Sequence, residues 1–520
     1  MKLKFINTAK LSVGAIVFVA LTNILPGCNK YLEENDPSNL TPDNYYTIPE
    51  HAEASIAAAY SNTRFIGGGA GIFSVNWSML EMVTGTAGTE TGQNTDLNNL
   101  LGLAYNGDNV HVRNWWNGLY GVIAQTNLTL EKVPGINPMD ANRKKQILGE
   151  ATFLRAWAYF YLVRIFGDVP LLTKPVLSAT SPDMYPGRTS KEEVYNQIVA
   201  DLVSAEASGL PWRDVTGRTS LGAVKSLLAE VYLTMAGFPL NKGASHYTLA
   251  ANKANEVIAN GSFSLFAKYG DLHSVAQDNK GENIFQIQYL VGVSENPLQG
   301  ILLPNFKDIS RYGTEIGSTV PALQFYNSFE AGDKRKEDTV GFFYTSYYTE
   351  GFKLPKKNLG APYIYKHFDS LAHGVLGKEG TGQSSLNLNQ IRYAQVLLSY
   401  AEAQNEAGGG PNAAAWTALK DIRTRAGLTT PAIGTFSQAS FREAIYRERW
   451  HELCYENITW FDMVRLRKAY NSTSNGFDNF VGYTLPPSGA KLANKHLLFP
   501  LPTEEMKNNP NLKPQNPDYQ

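Results

Sequence analysis

The chain has 520 residues, with 46 Lys and Arg against 47 Asp and Glu, and 43% of it is hydrophobic. A formal net charge of −1 excludes the basic surface a nucleic-acid binder needs and the acidic excess of a disordered tail. Two cysteines cannot form a disulfide scaffold, and a chain this long buries a core without one. Length alone leaves room for about three domains. Charged residues stand at 18% and aromatics at 12%, with abundant Asn and Gly. Such a surface of rings and amides suits sugars or peptides.

In chain order, Lys2, Lys4 and Lys10 come first, then the apolar run Leu11–Leu25. That run is shorter than the ~20 residues of a membrane-spanning helix and fits a signal peptide. It closes on Leu25-Pro26-Gly27-Cys28, which resembles a bacterial lipobox, where a diacylglyceride is attached to the thiol and the chain is cut before it. Residues 1–27 are therefore expected to be a lipoprotein signal peptide. Cys28, carrying acyl chains such as palmitate, is the expected anchor, since two chains hold a protein stably where one does not.

Residues 29–48 are rich in Pro, Asn and Asp and read as a tether, and the Ala-rich run His51–Tyr60 reads as a helix. Four helix pairs follow, with Ala and aromatics at i, i+3, i+4 spacing. They are Lys145–Phe166 with Ser190–Ala207, Ser220–Ala236 with Tyr247–Asn260, Gln390–Ala407 with Ala413–Ala426, and Phe441–Glu456 with Trp460–Tyr470. Leu227–Leu233 (LLAEVYL) and Leu397–Ala403 (LLSYAEA) repeat one design, small Ala beside Tyr or Leu. Helix pairs of this kind cannot bury their apolar faces alone and so stack. The fold class is mainly α: tetratricopeptide-like helix-pair repeats with long loop and small β insertions. Ile284–Tyr289 and Gly341–Tyr344 alternate like short strands.

Several charged residues read as fold-holding. Arg155 and Arg164 flank an aromatic helix and are expected to meet carboxylates at neighbouring helix ends. Arg449, Glu452, Glu456 and Asp462 are spaced so that several are expected to share one face and form an ion-pair network. Cys454 lies in an apolar-periodic helix as a buried thiol.

Blocks spanning the mature chain resemble the SusD/RagB family of nutrient-binding outer-membrane lipoproteins. They include Gly149–Ala156 continuing to Phe166-Gly167-Asp168-Val169-Pro170-Leu171, and Arg188-Thr189-Ser190 with Glu193-Val194-Tyr195. Gly217-Arg218 leads into Leu228–Leu233, and Arg392-Tyr393-Ala394 runs on to Glu402-Ala403 and Arg425–Leu428. Glu448-Arg449 with Trp460-Phe461-Asp462, and Leu498–Pro502 with Asn509–Leu512 and Gln515-Asn516-Pro517, complete the order. Asn457-Ile458-Thr459 departs from the Gly-x-Arg step common there. The resemblance implies one SusD-like domain over 28–520. Its helical scaffold would span about 140–270 and 388–472, its ligand-side insertions about 62–111 and 282–375, and a C-terminal coil about 473–520.

It also implies a function: binding an oligosaccharide, or a peptide as in the RagB branch, on the outside of the outer membrane. The ligand would pass to a SusC-like TonB-dependent transporter that the protein covers as a lid, with no chemistry done. In the family the ligand meets loops after the first helices and the mid-chain insertion. That points here to Trp77, Tyr105, Asn106, Asp108 and Trp115, and to Tyr289, Arg311, Tyr312, Phe343 and Tyr344. Trp116, Tyr120, Ile123 and Asn127 share one helical stripe and read as core.

Catalytic motifs are not met. His451-Glu452-Leu453-Cys454-Tyr455 lacks the second His of a zinc protease, and no phosphate-binding Gly-x4-Gly-Lys or Gly-x-Ser-x-Gly elbow occurs. No cofactor is expected; Glu90, Asn94, Asp96 and Asn98 offer oxygens to Ca²⁺ without an EF-hand's Gly turn or closing Glu. Two other classes stay open at this point. A surface glycoside hydrolase would need paired carboxylates in a cleft, and a solute-binding lipoprotein would need two α/β lobes.

Overall fold

The computed structural model describes residues 45–178, 180–307, 315–349, 353–369 and 384–519. The chain divides into two units, Met1–Thr47 and Ile48–Gln520, and every element below belongs to the second. Cys28 lies outside the described residues.

The long helices start and stop where short polar residues and glycines dictate. Helix α1 (Pro49–Asn62) has Pro in its first turn, where the missing N–H costs nothing. Asn109 caps α2 (Val110–Lys132), Asp140 caps α3 (Ala141–Phe166), Ser190 caps α4 (Lys191–Glu206) and Ser220 caps α5 (Leu221–Ala236), each accepting a backbone N–H. Left-handed Gly261 ends α6 (Ala244–Asn260), and Gly409 ends α7 (Tyr393–Gly408). Asn412 caps α8 (Ala413–Arg425), and Ser437 with Ser440 forms a reciprocal capping box at α9 (Gln438–Glu452). Helix α10 spans Thr459–Leu466.

These helices stack in succession: α1 on α2, α2 on α3, α3 on α4, α4 on α5, α5 on α6, α6 on α7 and α7 on α8. The structure is mainly helical, as the spacing predicts. Helix α3 is its axis: from Gly149 to Phe166 every residue except Arg164 is buried. Gly149 is required there, because a Cβ would fall 2.0 Å from Ser208 Oγ. The fourth expected pair differs, since α9 packs on α7 instead. Its helices also end early. Tyr455 and Asn457 adopt positive φ (62° and 56°) and break the helix after Glu452, and Arg467 (φ 55°) ends α10. The chain then runs into strand Lys468–Asn471. Likewise Gln390–Arg392, expected as the start of a helix, are strand.

The strands form small antiparallel pairs. Asn283–Ile287 pairs with Leu388–Arg392, closing the neck of the mid-chain insertion. Phe343–Thr349 pairs with Lys353–Ile364 as a long hairpin. Ala87–Gly88 pairs with Val320–Pro321, joining the first insertion to the second. The C-terminal coil returns to α3: Phe499 N donates to Ile165 O at 2.7 Å, and Asn516 Nδ2 donates to Phe166 O at 2.9 Å and Phe499 O at 2.7 Å.

Buried ion pairs lock these parts together. At the insertion neck, Glu452 accepts from Arg425 Nη2 (2.6 Å), Arg392 Nη1 (3.1 Å), Arg335 Nη1 (3.4 Å) and the Tyr269 hydroxyl (3.0 Å). Arg392 also holds Glu456 through two N–H groups (2.8 and 2.7 Å) and Glu282 at 2.5 Å; Lys366 pairs with Glu456, and Arg425 with Glu282. Burial pushes Glu456 up, but Arg392 and Lys366 outweigh it and hold the carboxyl at about 2.

Arg449 and Asp462 belong to a separate cluster. Arg449 Nε donates to Asp462 Oδ2 and Arg465 Nε to Asp462 Oδ1, both at 2.8 Å, while Arg465 reaches Glu402 on α7. The single expected network is thus two, because Glu452 and Glu456 face the neck while Arg449 faces α10. Arg155 meets its carboxylate, Asp201 on α4, through two N–H groups at 2.8 and 2.6 Å. Arg164 does not. Its guanidinium lies between the Phe160 and Phe461 rings, 3.6 Å from each centroid. Cys454 is buried, and burial pushes its thiol up to about 12.

One buried carboxyl lacks a cation. Glu81 Oε1 accepts from Asn457 N (2.7 Å) and Nδ2 (2.9 Å), while Oε2 is buried with no hydrogen-bond partner among the described residues. Burial raises its pKa from 4.5 to about 7, against those two hydrogen bonds. A folded pKa above the unfolded one favours folding with the proton on. Stability tied to Glu81 is therefore full below about pH 4.5 and lost as pH rises through about 7. Glu81→Gln should melt higher than the parent at pH 8 and alike at pH 4. Parallel melts by circular dichroism check this, and equal melting at pH 8 would count against it.

Candidate ligand-binding groove

The rings expected to meet a ligand are mostly interior. Trp77 is 1% exposed and edge-on to His367 at 5.2 Å. Trp115 is 0% exposed, donates Nε1–H to Asn76 O at 2.8 Å and packs on Phe65. Tyr105 stacks on Phe499 with centroids 4.9 Å apart, beneath the C-terminal coil. Tyr289, Phe343 and Tyr344 are buried, and the Tyr344 hydroxyl donates to Leu302 O at 2.8 Å. All six are buried side chains. Asn106 and Asp108 do stay on the surface, in one turn where Asp108 N donates to Asn106 Oδ1 at 3.0 Å. Arg311 and Tyr312 lie outside the described residues. Of the four oxygen donors near position 90, Asn94 caps a short helix (Thr95–Leu101) and Glu90 accepts from Asn305 N and the Tyr363 hydroxyl. Among the described residues, no three of His, Cys, Asp and Glu gather as metal ligands.

A ring-lined opening lies elsewhere. A groove of about 480 Å³ runs between α2, the segment after α3 and the C-terminal helix Thr503–Asn508. Helix α2 supplies Trp116, Asn117 and Tyr120, and Pro170, Leu172 and Val176 form the floor's continuation. The loop Asp183–Pro186 and the C-terminal residues Glu505, Asn508 and Asn509 complete its lining. Trp116 is edge-on to Phe166 at 5.1 Å, and the Tyr120 hydroxyl donates to Pro170 O at 2.8 Å, so both rings are fixed. Asn509 Nδ2 donates to Pro186 O (2.8 Å) and Asn511 Nδ2 to Tyr185 O (2.7 Å), pinning the loop while Tyr185 remains 52% exposed. Asn117 and Asn508 hold exposed amides over this apolar floor, and burial followed by the neighbouring Glu504 carboxylate raises the pKa of Glu505. A flat ring beside free amides and carboxyls is what a sugar needs: a surface for its C–H face and partners for its hydroxyls. A comparable opening at Asn471–Asn479 and Val481–Pro486, about 510 Å³, presents mainly hydroxyls and amides.

Sequence spacing placed Trp116 in the core, and its ring is 4% exposed, but it also walls the groove. Tyr185 and Met184 were missed. The only signal available was two large apolar residues in the Pro-bounded run Pro182-Asp183-Met184-Tyr185-Pro186.

A stacked-helix scaffold with small β insertions and a C-terminal coil is the architecture of the SusD superfamily. The comparisons place the chain within it. Residues 309–519 match the SusD family model, and residues 30–233 match the model described as starch-binding associating with outer membrane. A SusD superfamily protein of Parabacteroides distasonis is 37% identical, covering 92% of this chain and 100% of that one, with a TM-score of 0.84. A SusD-like protein of Formosa agariphila is 29% identical over 97% of this chain and 99% of its own. A laminarin-binding SusD-like protein shares the fold at 24% identity and a TM-score of 0.70, over 91% of this chain and 100% of that one. The chain belongs to the SusD family. Among the described residues no helix is long and apolar enough to cross a membrane.

Proposed function

We propose that this protein binds an oligosaccharide in the groove of Trp116, Tyr120 and Tyr185 and delivers it to a SusC-like TonB-dependent transporter. It is held in the outer membrane, facing outward, by lipid on Cys28. The observation that carries the reading is the groove itself: fixed rings, one half-exposed tyrosine, and unspent amides at the edge, on a chain of the SusD family. Binding suffices for this role, and no group in the groove is assigned a chemical step. The laminarin-binding SusD-like protein and the starch-binding family model make laminarin and starch the first ligands to try.

Calorimetry of the detergent-solubilised full chain with laminarin and starch oligosaccharides tests it. Tyr185→Ala is expected to weaken binding about tenfold, or ~1.4 kcal/mol, as expected for losing roughly half the burial of an aromatic side chain. Its melting should stay that of the parent, because Tyr185 is half-exposed. Unchanged affinity in Tyr185→Ala would remove the groove from consideration.

A further inference from the structure

A second cavity, of about 220 Å³, shares no lining residue with the groove. It lies where the end of α3, the start of α4, the end of α5 and α10 meet the coil around Asn494–Leu498. Its walls are apolar: Val163, Phe238, Pro239, Val464, Leu497 and Leu498. Its charged lining is all cationic. Arg164, Lys191, Arg465, Arg467 and Lys495 line it, and no Asp or Glu does.

These cations are not equivalent. Arg465 is held by Glu402 and Asp462. Lys191 lies 3.6 Å from Asp168, Arg467 donates to Val464 O at 3.1 Å, and Lys495 sits over the Tyr519 ring at the rim. Arg164 has no carboxylate partner among the described residues. The Phe160 and Phe461 rings each lie against its guanidinium, and Nε donates to Phe160 O at 2.9 Å. The two terminal nitrogens have no acceptor among the described residues, and the half-buried side chain lines the cavity. A guanidinium donates only in its own plane, the geometry that a carboxylate satisfies with two parallel hydrogen bonds. Burial lowers the group to about 10, with Tyr161, Tyr195, Glu230 and Asp462 acting the other way, so it stays charged at neutral pH.

We propose that this pocket is a second binding site, for a small monocarboxylate with an apolar body, its carboxylate on the terminal nitrogens of Arg164 and its body against Val464, Phe238 and Leu498. The volume is below the ~300 Å³ where drug-sized sites begin, which favours a short aliphatic or single-ring acid. With Arg465 and Lys191 beside carboxylates of their own, Arg164 is the cation left to hold an anion there. The site is independent of the glycan groove.

Ligand-detected NMR and calorimetry on the full chain test this, with octanoate and 4-phenylbutyrate as probes and octanol and 4-phenylbutanamide as neutral counterparts. The acids should bind saturably and at least tenfold more tightly than the neutral molecules. Arg164→Lys keeps the charge and loses the paired donors, and is expected to weaken the acids about tenfold. Val464→Phe fills the pocket while leaving Arg164 in place and should abolish binding. It also serves if the Arg164 variant does not fold, with melting curves showing which variants are intact. Oligosaccharide binding should be unchanged in both. The proposal is overturned if acids and neutral counterparts bind equally, if neither binds saturably at millimolar concentration, if folded Val464→Phe still binds the acids, or if it loses oligosaccharide binding as well.

Discussion

Glu452→Ala is expected to abolish a stably folded chain. Glu452 is fully buried and takes hydrogen bonds from Arg335, Arg392, Arg425 and Tyr269. Its removal leaves buried guanidinium charge uncompensated, and breaking a buried pair this way costs about 3–5 kcal/mol. That is a large part of the ~5–15 kcal/mol by which folded proteins are stable. Expression should collapse, or the melting midpoint of any purified chain should fall steeply. Glu452→Gln, which keeps an acceptor but not the charge, should fall between the two. A Glu452→Ala midpoint within a degree or two of the parent would show that the cluster does not hold the fold.

The same cluster sets an acid limit. Glu456 has a folded pKa depressed from 4.5 to about 2, so its stabilisation is present above about pH 4.5 and lost as pH falls toward 2. Stability of the parent should drop across that window, and Glu456→Gln, destabilised at neutral pH, should show a shallower drop.

Cys28→Ser is expected to release the protein from membranes almost completely. The anchor reading rests on Cys28 closing an apolar run too short to span a bilayer. Each buried methylene contributes about 0.8 kcal/mol, so removing the acyl chains takes away essentially all membrane affinity. Fractionation with detection by antibody should move the variant from the membrane pellet to the soluble or secreted fraction. Retention in the pellet at the parental level would rule out Cys28 as the anchor. Co-purification of a large TonB-dependent barrel with the tagged parent in mild detergent checks the partner in the same experiment.

Three helix starts were legible because they are written locally: Ser190, Ser220 and Asn412 sit at the caps the structure uses, whereas α3 begins at Ala141 behind its Asp140 cap, ahead of the expected Lys145. The ligand face was not, for two reasons. Helix α2 is packed between α1 and α3, so adjacent Trp115 and Trp116 both find buried neighbours, and a single apolar stripe cannot say which one borders a groove. Tyr105 stands in a Gly/Asn-rich run that reads as an open loop, yet Phe499 and Tyr519, far along the chain, cover its ring. Spacing rules see one helix face at a time. They do not see which distant segment returns to close it. Arg449, Glu452, Glu456 and Asp462 read as fold-holding from their spacing, but their division into two clusters depends on which distant partners reach α9: Arg449 meets Asp462 on α10, while Glu452 meets Arg425 and Arg392 at the neck.

The cluster at the insertion neck has a consequence for how the molecule is divided mechanically. Glu282, Arg392, Arg425 and Glu452 rivet the insertion where it leaves and rejoins the helices, and Arg335 and Lys366 pin it again within its length. Glu282 and Arg392 are 110 residues apart in sequence and meet in one ion pair, so the insertion is a loop clamped shut at its base. None of its described residues lines the groove between α2 and the C-terminal helix, so the clamp and the groove are separate parts.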